Sequence, residues 1–274
     1  MLRLETETGW WLVTHPDHAH LAGDFAERWG NDLFRRPEPR EHVLRGIRRH
    51  DDGWIARDFS PQITRQGKPS AFSIEFVGKY SGFEEIDLAD FLAVRDSAVR
   101  EIAIEDPYAA VLISMHTYNL LNERSDRSTI APAQAPLLEQ FLERQKEFQA
   151  SLRARLASDL RFARDQASDG RIFDHFRLLQ ALDYLSLLTC VDFRQPASLL
   201  HPLPTRDGAH SPIQVRPIAS RHFILEPYPF PESSLTFHFP ARHIQGKIFS
   251  SSSELQSAVE AAPKQILSVT VCTN

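Results

Sequence analysis

Residues 171 to 193 limit the architecture more than any other stretch of the chain. Leu178-Leu-Gln-Ala-Leu-Asp183-Tyr-Leu-Ser-Leu-Leu188 reads as a helix that is apolar on nearly every side. Such a helix belongs at the buried centre of a domain, with other helices packed around it. Asp183 lies inside it, on the face that also carries Ile172, Phe176, Leu179 and Ser186. An ionised carboxylate there costs several kcal/mol unless it is paired or binds a metal. The competing reading is an aspartate that caps another element or pairs with an arginine.

The rest of the chain is consistent with a helical centre up to about residue 195. Apolar residues recur at helical spacing over Leu21, Ala22, Phe25, Ala26 and Trp29, and over Val43, Leu44 and Ile47 with His50 on the same stripe. Residues 87 to 122 read as two helices parted near Asp106-Pro107, and Leu137 to Ala167 as one long helix. Residues 57 to 85 show no sustained period and are expected to form a long loop. After Pro196 the periodicity changes to two, over Ile213 to Pro217, His222 to Pro227, Leu235 to Phe239 and Gln265 to Val271, with a short helix at Ser253 to Ala262. Residues 9 to 13 read as a hairpin or bent strand that joins this sheet. The expected fold is therefore mainly α: one domain over 1–274, a helical bundle over about 15–195, and a small antiparallel sheet from about 196–274 with the N-terminal strand.

Composition removes several classes of function. Only Cys190 and Cys272 are present, so neither a disulfide framework nor a cysteine zinc site can be built. The net charge of −5 argues against binding a nucleic acid polymer. The sequence has no apolar run near the roughly 20 residues that span a bilayer, and no signal or transit pattern, so a cytoplasmic protein without a membrane partner is expected. The glycine-rich phosphate loops and the Gly-x-Ser-x-Gly elbow are absent.

The 12 histidines point elsewhere. His18 opens the first helix, with Ala22 and Ala26 behind it leaving room for close approach. His50-Asp51 ends the second helix, where an imidazole and a carboxylate together suit a divalent ion of intermediate softness. A C-terminal helix histidine followed by an Asp52-Gly53 turn explains the same residues without a ligand. His116 sits in an apolar helix between Leu112 and Leu120. His15, His20 and His175 have no assigned role. Arg48 and Arg49 adjoin the doublet and could meet a phosphate, although a solvated helix face explains them equally well.

In this order, His18, His50-Asp51, His116 and Asp183 resemble the HD-domain superfamily of metal-dependent phosphohydrolases. The likeness covers roughly residues 15 to 190. A closer overall similarity is to a bacterial domain-of-unknown-function family, carried by His15-Pro-Asp-His18, His50-Asp-Asp-Gly-Trp54, Ser114-Met-His116 and Glu226-Pro-Tyr-Pro-Phe230. The superfamily resemblance implies an HD-like bundle. It also implies a divalent ion (Mn, Fe, Ni, Zn or Mg) held by His18, His50, Asp51 and Asp183. Asp52 and His116 would handle protons, and an ion-bound water would attack a small phosphoester or nucleotide. Two other readings remain open at this point: a di-iron oxidase or oxygenase on the same ligands, and a non-catalytic small-molecule-binding protein.

Overall fold

The computed structural model describes residues 1–78 and 87–274. A hairpin, β1 (Leu2–Glu5) and β2 (Gly9–Val13), leads into α1 (His15–Arg28), α2 (Arg40–Arg48), a 3-10 turn at Asp52–Trp54 and the short α3 (Ile55–Phe59). Helices α4 (Leu88–Glu105), α5 (Pro107–Asn122), α6 (Ala135–Ala157) and α7 (Asp169–Cys190) follow. The C-terminal part contains β3 (Ala197–Ser198), β4 (Leu203–Pro204), β5 (His210–Ser211), β6 (Gln214–Ala219), β7 (His222–Glu226), β8 (Ser234–Gln245), α8 (Ser252–Ala261) and β9 (Lys264–Cys272).

The sheet overturns the expected helical bundle with a small antiparallel sheet. Seven strands join in the order β1-β2-β8-β9-β7-β6-β3 and curl into a half-barrel, and β7 runs parallel to β9. The cause lies in β8. Its alternation reads as ending at Pro240, yet the strand continues to Gln245. Pro240 sits where β8 pairs with β9 on one edge, and β2 joins the other edge only from Arg242 onward, so a missing N–H is tolerated. Twelve residues then suffice to carry the N-terminal hairpin on one half and the C-terminal strands on the other. Phe237, Phe239 and Ala241 face the helical core, and Phe25 of α1 meets Phe237 edge-on at 4.7 Å between centroids. On the opposite face Trp10, Leu12 and Ile244 pack against Leu255 of α8.

Helix α7 is the buried centre, with Leu179, Ala181, Leu182, Leu185 and Leu188 fully enclosed. The parting at Asp106-Pro107 occurs as expected: Asp106 caps α5 by accepting from the backbone N–H groups of Tyr108 and Ala109. Three other expectations need correction. The long helix read over Leu137 to Ala167 ends at Ala157, because Asp159 accepts from the Arg161 backbone and side chain and offers a turn instead. His50 and Asp51 do not lie on a helix: α2 stops at Arg48, and the doublet occupies the turn that follows. The expected loop over residues 57 to 85 contains the end of α3 and a 3-10 turn at Ile74–Phe76, and its last part, residues 79 to 85, lies outside the described residues. No helix among the described residues is long and apolar enough to cross a membrane.

Candidate metal centre

Three helices and one turn bring the singled-out residues together. Thr14 caps α1, its side chain accepting from the Asp17 N–H, which starts the helix where His18 points inward. The turn after α2 holds His50 and Asp51 against α4 because Gly53 has no side chain: a Cβ there would stand 2.4 Å from the Val94 carbonyl oxygen. His116 comes from α5 and Asp183 from α7. All five side chains are buried.

Their ligand atoms form two overlapping triads joined at His50. His18, His50 and Asp51 make one, and His50, His116 and Asp183 the other. His18 Nε2 stands 3.0 Å from Asp51 Oδ2, His50 Nε2 stands 3.8 Å from the same oxygen, and His50 Nε2 stands 3.3 Å from Asp183 Oδ1. Ligand atoms about 2.1 Å from a shared ion lie about 3.0 Å apart in an octahedron and about 3.4 Å apart in a tetrahedron. The 3.0 Å and 3.3 Å gaps are of that order, the 3.8 Å gap is wider than either, and the two triads share only His50.

Proton placement agrees with that spacing. His50 Nδ1 donates to the Ile47 carbonyl oxygen at 2.8 Å, which fixes the lone pair of the neutral ring on Nε2. That Nε2 is buried and makes no hydrogen bond, Asp183 Oδ1 being too poorly aligned to accept one. For His18, Nε2 donates to Asp51 Oδ2 at 3.0 Å, since a carboxylate can only accept, and Nδ1 lies 2.9 Å from Ser186 Oγ. Both rings turn Nε2 toward a carboxylate, His18 with a hydrogen bond to Asp51 and His50 with none. A bare lone pair on His50 Nε2, facing Asp51 and Asp183, requires positive charge between them. Either the His50 ring takes a second proton or a cation lies between it and the carboxylates.

The electrostatics favour positive charge at the same point. Burial works against charging His50, but Asp51 and Asp183 outweigh it and raise the ring to about 9. Asp183 is held at about 2 despite burial, by the close approach of His50 and then by His116 and His18. Burial also opposes ionisation of Asp51, yet Arg95 and His50 keep it well below the usual carboxylate range. His116 behaves differently: burial pushes it down to about 3, so it stays neutral.

Arg95 is the residue that sequence reasoning missed. It is 8% exposed, donates from Nη1 to Asp51 Oδ1 at 2.6 Å and packs over the rings of Trp54 and Phe91. The signal was present, since Leu88, Leu92, Arg95, Val99 and Ile102 share one apolar stripe of α4. It is the same anomaly that singled out Asp183.

Other candidates lie elsewhere. Asp52 points to Arg49, whose Nε donates to it at 2.6 Å. Arg48 pairs with Asp24 and Glu27, and Arg49 also reaches Glu105, so both are engaged on the surface. His15 pairs with Asp58 and stacks on Trp54, while His20 is exposed. His175 meets the Tyr108 hydroxyl at 2.8 Å within the core, and burial lowers it to about 4. Between about pH 4 and 6.5 the unfolded chain thus binds a proton that the folded one refuses, and stability falls as pH drops through that window. From pH 7.5 to 5, wild type should lose on the order of 2 kcal/mol more than His175→Gln in denaturant titrations. Equal losses would contradict this origin.

A family described as Protein of unknown function (DUF3891) matches residues 1–246. The chain belongs to that family. Comparison with curated proteins and with solved structures finds no match. The similarity to a domain-of-unknown-function family is thereby confirmed, whereas none of these comparisons returns the HD superfamily.

Proposed function

We propose that this protein is a metal-dependent hydrolase of the HD-like type, acting on a small phosphoester or nucleotide. The observation that carries the reading is His50 Nε2, a buried nitrogen that faces two carboxylates and has no hydrogen-bond partner. His18, His50, Asp51 and Asp183 would hold the ion, and two nitrogen with two oxygen donors suit a divalent metal of intermediate softness such as Mn, Fe, Ni or Zn. When bound, such an ion polarises a phosphoryl oxygen and makes water nucleophilic near neutral pH.

The chain's own residues supply the remainder. Arg95 neutralises part of the carboxylate charge, so the loaded site is net positive and attracts an anion. His116, neutral and 3.9 Å from Asp183, is placed to hold a proton near a leaving oxygen. Asp52 takes no part, being turned to Arg49.

The test is a panel of phosphomonoesters, phosphodiesters and nucleotides, with wild-type protein loaded in turn with Mn, Fe, Ni, Zn and Mg. Turnover of at least one class is expected, falling at least about 100-fold in His50→Gln. A protein that binds the ion tightly yet hydrolyses no member of the panel would overturn the hydrolase reading while leaving the metal site standing.

A further inference from the structure

A chain of amide hydrogen bonds runs from the surface to His116. Glu123, exposed at the C-terminal end of α5, accepts from Asn119 Nδ2 at 2.8 Å. A carboxylate can only accept, so the orientation of the Asn119 amide is set and its Oδ1 faces inward. That oxygen accepts from Gln180 Nε2 at 2.9 Å, which in turn sets the orientation of Gln180. Gln180 Oε1 is then left to accept from His201 Nε2 at 2.7 Å. The second hydrogen of Gln180 Nε2 is directed at His116 Nδ1, 3.4 Å away. Two donors cannot face one another, so His116 Nδ1 must be the acceptor. Gln180 and Asn119 are buried, which makes the wrong orientation of either amide costly.

We infer that Glu123, Asn119 and Gln180 are positioning residues that fix His116 as its Nε2–H tautomer, so that it enters the site as a hydrogen-bond donor and not as a metal ligand. His116 is thus the opposite of His50, whose Nδ1 donates to the Ile47 carbonyl. One of the two triads accordingly has a member that presents N–H where a ligand would present a lone pair. The tautomer is a property of the chain alone, and only its consequence for coordination rests on the proposed metal site.

Long-range proton–nitrogen correlation spectra of the full-length, uniformly 15N-labelled protein without added metal report each ring's tautomer directly. His116 is expected with Nε2 protonated and Nδ1 bare. Glu123→Lys replaces a surface acceptor by a donor, which should turn both amides over and move the His116 proton to Nδ1. Gln180→Glu should produce the same switch from inside, and its affinity for Zn should rise by about tenfold as His116 gains a free Nε2. A Gln180 that merely fills space predicts weaker Zn binding and no change of tautomer. Protonation of His116 on Nδ1 in wild type, or an unchanged tautomer in both variants, would overturn the inference. Absence of Zn binding with the expected tautomers would count against the metal site alone.

Discussion

Asp183→Ala should lose metal and activity together, because in the proposed site one substitution removes both a ligand and the charge that balances the ion. Metal content should drop from about one ion per chain to near zero, and hydrolysis should fall at least about 1000-fold. Stability separates this outcome from simple misfolding. An ion present at about 1000 times its dissociation constant adds about 4 kcal/mol to the folded state. Wild type should therefore melt markedly higher when Mn is added, whereas Asp183→Ala should not respond. Without metal Asp183→Ala should melt below wild type, because the folded state holds that carboxylate at about 2, so the missing response to Mn is what separates the readings. A variant that melts far below metal-free wild type but still takes up one ion would make Asp183 a structural residue.

The second large effect concerns Arg95. Arg95→Met keeps the apolar stem against Trp54 and Phe91 but leaves Asp51 buried without its guanidinium partner. Breaking a buried pair from one side costs about 3–5 kcal/mol, so metal-free Arg95→Met should unfold at clearly lower denaturant concentration than wild type. A divalent ion supplies the missing positive charge, so saturating Mn should close most of that gap. Denaturant titrations with and without Mn measure both quantities. A deficit equally large in both conditions would place Asp51 outside the metal's coordination.

The helical half of the fold was readable because its apolar periodicity is long and its breaks carry strong local chemistry. Asp106-Pro107 is the clearest case, with a capping carboxylate followed by a first-turn proline. The sheet was under-read because β8 passes through Pro240 and because strand partners are set by contacts more than two hundred residues apart, such as Trp10 with Ile244. Alternation along one strand says nothing about which strand lies beside it.

The candidate site was legible for the reason that buried charge is conspicuous. Asp183, His116 and His18 each interrupt an apolar face, and the structure places all three side by side with the His50-Asp51 turn. Arg95 interrupts its stripe in the same way and was passed over because a long basic side chain usually reaches solvent from such a position. The amide chain from Glu123 to His116 had no comparable signal. Asn119 and Gln180 are ordinary polar residues in sequence, and their role exists only through orientations that the folded hydrogen-bond network imposes.

The central claim is that His18, His50, Asp51 and Asp183 hold a divalent ion. Elemental analysis of the purified protein beside His50→Gln, followed by calorimetric titration of metal-stripped wild type with Mn, Fe, Ni and Zn, tests it most directly. The expected result is about one ion per wild-type chain, none in a His50→Gln variant of unchanged circular dichroism, and saturable uptake by the stripped protein. Metal-free wild type that takes up none of the four ions, or a His50→Gln variant that binds them as well as wild type, would contradict it.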